Sequence, residues 1–230
     1  MKHYRHYKRA ALILITAALC IKVQGPGYAE KGAPGATMTN PHEMPPVKVT
    51  GVGPGKLFTD AEKLLACTFE YPENWAIGTE KGRKQPYQQV IILGPRNTSN
   101  NFSASLTMRR MPMKASGGIY SQLADLTEVR QKQYAKNPQY RQLNLGERMV
   151  SGQKAVSMTI EYTVPIPPYG KLQAEQVTLR TQFVQFALAG ALYELSFSAD
   201  ARDYSVYEPV FERLLQTFVL TAPPPSASVN

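Results

Sequence analysis

Leu192-Tyr193-Glu194-Leu195-Ser196-Phe197-Ser198, followed by Tyr207, Val210, Phe211, Leu214, Leu215 and Phe218, is the succession that decides the fold class. In the first part Tyr193, Leu195 and Phe197 fall on one side, and Glu194, Ser196 and Ser198 on the other. That is the period of a half-buried strand. In the second part apolar residues recur every three or four positions and draw one stripe along a helix. Asp203 or Ser205 suits the cap of that helix, and Ser205 with Glu208 fits a capping box. Pro209 favours a start close to residue 208, or a kink if the helix begins earlier. A strand feeding an amphipathic last helix needs a sheet for the helix to cover.

The chain upstream supplies strands. Cys67, Phe69 and Tyr71 alternate with Thr68 and Glu70, and Pro72-Glu73-Asn74 turns the chain into Trp75-Ala76-Ile77. Val90 to Leu93 is an apolar run suited to a central strand, and Phe102, Ala104, Leu106 and Met108 alternate through the next. Ile119 to Tyr134 reads as a helix with Ile119, Leu123, Leu126 and Val129 on its buried side, ended by Asn137-Pro138. Two long strands then meet at Ser151-Gly152, and a further strand from about Leu172 to Leu188 turns at Ala189-Gly190 into Leu192. Consecutive strands joined by turns pair antiparallel. The expected fold is therefore α+β: an antiparallel sheet covered by helices in an α/β/α-type sandwich.

The termini read differently. Residues 1–29 have the form of a secretory signal peptide: Lys2, Arg5, Lys8 and Arg9, then an apolar run from Ala10 to Val23, then Gly27 and Ala29 at a cleavage site. An uncleaved membrane anchor and a lipoprotein attached through Cys20 are the alternatives. Residues 30–57 are rich in Gly and Pro and read as a linker, residues 58–220 as the folded domain, and residues 221–230 as a disordered tail. The formal charge of +9 counts 26 basic residues; without the five of the leader, 21 face 17 acids, a net +4. That excess is too small and too scattered for a nucleic-acid surface. The three histidines, His3, His6 and His42, all precede the domain, so histidine-activated nucleophiles and histidine metal sites are not expected in it. Without Cys20 the mature chain keeps the single thiol of Cys67.

Two stretches carry a family resemblance. Phe69-Glu70-Tyr71-Pro72-Glu73-Asn74-Trp75 resembles the opening of PsbP-like domains. Gly190-Ala191-Leu192-Tyr193-Glu194-Leu195, with the final helix ending Leu215-Gln216-Thr217-Phe218, is similar to their close. The resemblance covers about Thr68 to Val219 and extends to the DcrB and Mog-type relatives of that superfamily. It implies a non-catalytic role. Plant members dock on photosystem II in the thylakoid lumen and help retain calcium and chloride there, and bacterial relatives are exported. The segments Thr79 to Gln89 and Arg109-Arg110-Met111-Pro112-Met113 depart from the plant pattern, so no ion-binding residue carries over.

The candidate chemistry is sparse. Trp75, Tyr71 and Cys67 read as core. Asp203 and Glu208 complement a helix N-terminus, and Asp200 and Glu212 lie around the same helix. Asn97-Thr98-Ser99 and Asn101-Phe102-Ser103 are glycosylation sequons in a eukaryote and loop composition otherwise. No catalytic residue, cofactor or metal site is expected. The one cluster that stands out is basic: Lys81, Arg83 and Lys84 in a hairpin loop, Arg96 in the next connection, and Arg109, Arg110 and Lys114 at the end of the Phe102–Met108 strand. Gathered at one end of a sheet, these residues would suit an acidic protein surface or anionic lipid headgroups. The expected function is an exported accessory module, in the periplasm or a thylakoid lumen, that docks on an envelope or membrane protein complex. A carrier of a small apolar or lipid ligand is the alternative, and a histidine-free hydrolase using a Ser-Lys pair a third reading.

Overall fold

Antiparallel pairing of neighbours in sequence builds most of the structure. The computed structural model describes residues 54–60, 65–81, 87–168 and 173–221. The expected leader, most of the linker and the tail lie outside these residues. Ten strands are described: β1 (Gly55–Thr59), β2 (Cys67–Pro72), β3 (Ala76–Lys81), β4 (Gln88–Arg96), β5 (Ser103–Pro112), β6 (Arg141–Val150), β7 (Gln153–Ile166), β8 (Glu175–Leu188), β9 (Ala191–Asp200) and β10 (Val219–Leu220). Two α-helices join them: α1 (Leu123–Tyr134) and α2 (Tyr204–Thr217). The α+β class and the antiparallel pairing agree with the sequence reading.

The strands divide between two sheets, where one was expected. A seven-stranded sheet runs β3-β4-β5-β9-β8-β7-β6, and a three-stranded sheet runs β1-β2-β10. β2 leaves the main sheet because Pro72-Glu73-Asn74-Trp75 turns the chain away and β1 pairs along the whole of β2, from Gly55 opposite Pro72 to Thr59 opposite Thr68. β1 thus begins inside the stretch read as linker. Both predicted two-residue turns form. Ser151 and Gly152 sit at φ of 49° and 74°, and Ala189 and Gly190 at 47° and 73°. Two successive positive φ values make the type I′ turn whose twist matches that of a hairpin.

Strand alternation then assigns each face. On β9, Tyr193, Leu195 and Phe197 point to α2, whose Phe211, Leu214 and Leu215 are buried with them. Cys67, Phe69 and Tyr71 of β2 and Trp75 join the same core. Burying each of these large side chains contributes about 1.5–3 kcal/mol. Aromatic rings fill the space: Phe58 stacks on Phe69 at 4.6 Å, Phe186 on Tyr193 at 5.1 Å, and Phe197 on Phe211 at 5.8 Å. The opposite face carries Leu192 with Met111 and Leu126 of α1, and further along Met158, Ile160, Tyr162 and Phe183 against Tyr134.

Three local expectations are corrected. α2 starts at Tyr204, with Asp203 at the cap position and no side-chain cap, and Pro209 lies inside it. The packing of Tyr204 against Phe197, at 4.9 Å, holds the first turn in place of the Ser205–Glu208 box. α1 starts at Leu123 rather than Ile119, capped reciprocally by Gln122 and Asp125. Its inward side is Leu123, Leu126, Arg130 and Tyr134, while Ile119 and Val129 are exposed.

Candidate functional site

A strand residue's neighbours along the chain face away from it, so β5 splits the predicted basic cluster. Arg109 lies opposite Glu194 of β9 and Gln89 of β4, on the α1 face. Arg110 lies opposite Tyr193 and Gln88, on the α2 face. Both sit inside β5, which runs on to Pro112 where the sequence suggested an end near Met108.

On the α1 face the polar half of the β9 pattern becomes a buried ionic cluster. Glu194 is 1% exposed. Arg130 of α1 grips its carboxylate with two bonds, Nε to Oε2 at 2.8 Å and Nη2 to Oε1 at 2.7 Å. Gln185 Nε2 donates to Oε2 at 2.8 Å, and Arg109 Nη1 approaches Oε1 at 3.4 Å. Thr127 Oγ1 donates to Gln185 Oε1 at 2.8 Å, and Arg109 Nε donates to Gln89 Oε1 at 2.6 Å. Burial opposes ionisation of Glu194, but the charge and hydrogen bonds of Arg130, then Arg109 and Gln185, outweigh it and hold the carboxyl at about 2. Glu194 is the pivot on which α1 is tied to the sheet. Two arginines against one carboxylate leave this seam with one excess positive charge.

Sequence reading missed this cluster. Glu194 was visible as the polar side of an alternating strand, but its partners lie 64 and 85 residues away.

The other basic residues separate further. Lys81 pairs with Gln88, and Gln88 with Arg110, so Lys81 and Arg110 occupy one end of the sheet. Lys114 begins a short 3-10 turn two residues beyond β5, at that same end. Arg83 and Lys84 lie outside the described residues, in the connection from Lys81 to residue 87. Arg96 is at the far end of β4, opposite Ser103, where its Nη1 donates to the Asn100 carbonyl at 3.3 Å.

That far end is closed by a second buried knot. Asn97 Nδ2 donates to Asn101 Oδ1 and to Asp200 Oδ2, both at 2.7 Å, and Asn97 Oδ1 accepts from the backbone N–H of Asn101 at 3.0 Å. Asn97 and Asn101 are 7% and 3% exposed, so these amides stitch a turn and are not open glycosylation sites. Arg202 completes the knot with a 2.6 Å bond to Asp200. Burial alone would raise the Asp200 carboxyl; the hydrogen bonds from Arg202 and Asn97 keep it below the usual range. Cys67 is buried, and its thiol is pushed up to about 12 by burial and then by the nearby Asp60 charge. Such a thiol stays protonated and unreactive.

No family model and no curated protein matches the chain. Solved structures do. The chain is similar to PA94 from Pseudomonas aeruginosa, a protein of unknown function, at 17% identity and a TM-score of 0.43, over 76% of this chain and 100% of that one. It is similar to the cyanobacterial PsbP of Synechocystis sp. PCC 6803 at 14% identity and a TM-score of 0.43, over 76% of this chain and 98% of that one. LpqN, involved in cell envelope biogenesis of Mycobacterium tuberculosis, is similar at 11% identity and a TM-score of 0.43, over 74% of this chain and 86% of that one.

Proposed function

We propose that this chain is an exported, non-catalytic accessory module that docks through the basic end of its main sheet on an acidic surface of an envelope protein complex. The observation that carries the reading is the register that sets Lys81 and Arg110 on either side of Gln88, with Lys114 just beyond. The connection holding Arg83 and Lys84 leaves from the same end. Cations placed at one end of a sheet steer and orient an acidic partner. Support for docking over ligand carriage comes from the interior: aromatic rings in stacked and edge-on contact, Phe197 on Phe211 and Phe186 with Tyr193 and Phe218, occupy the α2 side of the main sheet. Support for the PsbP-like assignment comes from the role of its signature residues, since Phe69, Tyr71, Trp75, Tyr193 and Leu195 all enter one core.

The test is capture of envelope complexes by the tagged chain, compared with an Arg83→Glu/Lys84→Glu/Lys114→Glu variant and with Arg96→Glu. Arg96 lies at the other end of the sheet and controls for charge change as such. Loss of a defined complex in the triple variant alone is expected. Equal capture by all three proteins would overturn the reading, and capture of anionic vesicles without protein would replace the acidic protein by a lipid surface.

A further inference from the structure

We propose that β6 is a self-association edge, through which two copies of this chain pair antiparallel about a two-fold axis at Gly146. Among the described residues β6 is bonded to β7 on one side only and ends the main sheet. Seven successive residues, Arg141 to Glu147, are exposed. Leu143, Leu145 and Met149 are 44%, 46% and 61% exposed. A long exposed edge of this kind is a template for another strand, and proteins ordinarily blunt it with Pro, charged side chains or a bulge. β6 has no Pro and no Lys; its three charged side chains are tied back within the chain, and its one irregularity is the register shift between Gln142 and Asn144.

Charge chooses the partner. Each charged side chain of β6 is already paired within its own chain: Arg141 with Glu161 at 2.6 Å, Arg148 with Glu212 at 2.8 Å, and Glu147 with Lys154 at 3.0 Å. A charged foreign strand finds no open counter-charge, whereas a second β6 brings its own charges neutralised.

The hairpin fixes which groups face outward. Val150 and Gln153 close the type I′ turn, so they form a bonded pair, and alternate residues back along β6 bond to β7. That leaves the N–H and C=O of Leu145, Glu147 and Met149 pointing away from the sheet. Two copies with Gly146 on the axis bond through these residues. In that register Leu145 faces Glu147 and Asn144 faces Arg148, and Leu143, the extra residue of the register shift, comes beside Met149. Shifting the axis to Glu147 sets two carboxylates face to face. Gly146 then occupies the close, non-bonded pair, where Cα atoms approach to about 4.5 Å. A side chain there has open space in the monomer, since nothing lies within 4 Å of where its Cβ would stand.

The experiment is sedimentation velocity of the purified chain over a concentration series, for the wild type, Gly146→Lys and Leu143→Lys/Met149→Lys. The wild type should dimerise as concentration rises. Gly146→Lys opposes two ammonium groups across the axis, and the double variant brings Lys beside Lys on both sides of it. Each should weaken dimerisation by roughly ten-fold or more, with the circular-dichroism melt of the monomer unchanged. A wild type that stays monomeric throughout, or a dimer that persists in both variants, overturns the proposal. This edge is separate from the basic end of the sheet, so either surface can fail its test without the other.

Discussion

Replacing Glu194 by Gln removes one charge and keeps the size of the side chain, which isolates what the buried carboxylate does. Its folded value of about 2 against an ordinary 4.5 corresponds to about 3 kcal/mol of stabilisation by the ionised form. Removing one partner of a buried pair costs a similar ~3–5 kcal/mol, because Arg130 stays buried without its counter-charge. In a domain of this size that is a fall in Tm of roughly 6–20 °C. The folded value lies below the unfolded one, so the contribution is complete above about pH 4.5 and is lost as the pH falls towards 2. Urea denaturation of the wild type and Glu194→Gln between pH 7 and pH 2 should therefore show a gap that is widest at neutral pH and closes in acid. Glu194→Leu combined with Arg130→Met should recover part of the loss, since the Arg130 charge goes with the carboxylate and only Arg109, 20% exposed, loses its partner. A neutral-pH gap below about 1 kcal/mol, or one that does not narrow in acid, would refute the role given to this pair.

Two further outcomes follow from the core. Gly94 sits so close to Trp75 that a Cβ would lie 2.6 Å from its ring; Gly94→Ala should displace the ring, cost about 1–3 kcal/mol and shift the emission of this single tryptophan. With its thiol raised to about 12, Cys67 should resist iodoacetamide at pH 8 in the folded chain and react in urea; rapid labelling at Cys67, located by peptide mapping, in the folded chain would contradict its burial.

Much of the fold was legible because its signals are local. The alternation of Leu192 to Ser198, the stripe of α2 and the two type I′ turns each depend on residues a few positions apart, and period and turn chemistry read them directly. The limits of α2 were not legible: Ser205 and Glu208 match a capping box, but tertiary packing of Tyr204 set the start. Arg109 and Arg110 part to opposite faces for a reason of geometry. Adjacent residues on a strand point to opposite faces, so Arg109 and Arg110 could share a surface only in a loop, and β5 extends past both.

By itself the sequence determined β2 to β9 and the two helices to within a few residues, the apolar sides of β2, β9 and α2, and that the described domain lacks histidine. The tertiary structure decided what pairs with what. It drew β2 into a small sheet with β1 and β10, brought Arg130 and Arg109 onto Glu194, set Arg96 at the other end of the sheet from Lys81 and Arg110, and left β6 as an edge strand among the described residues. Periodicity is a property of neighbours along the chain. Pairing, edges and buried charge are properties of residues far apart in sequence, and they become fixed only when burial of the apolar faces chooses one arrangement of the strands.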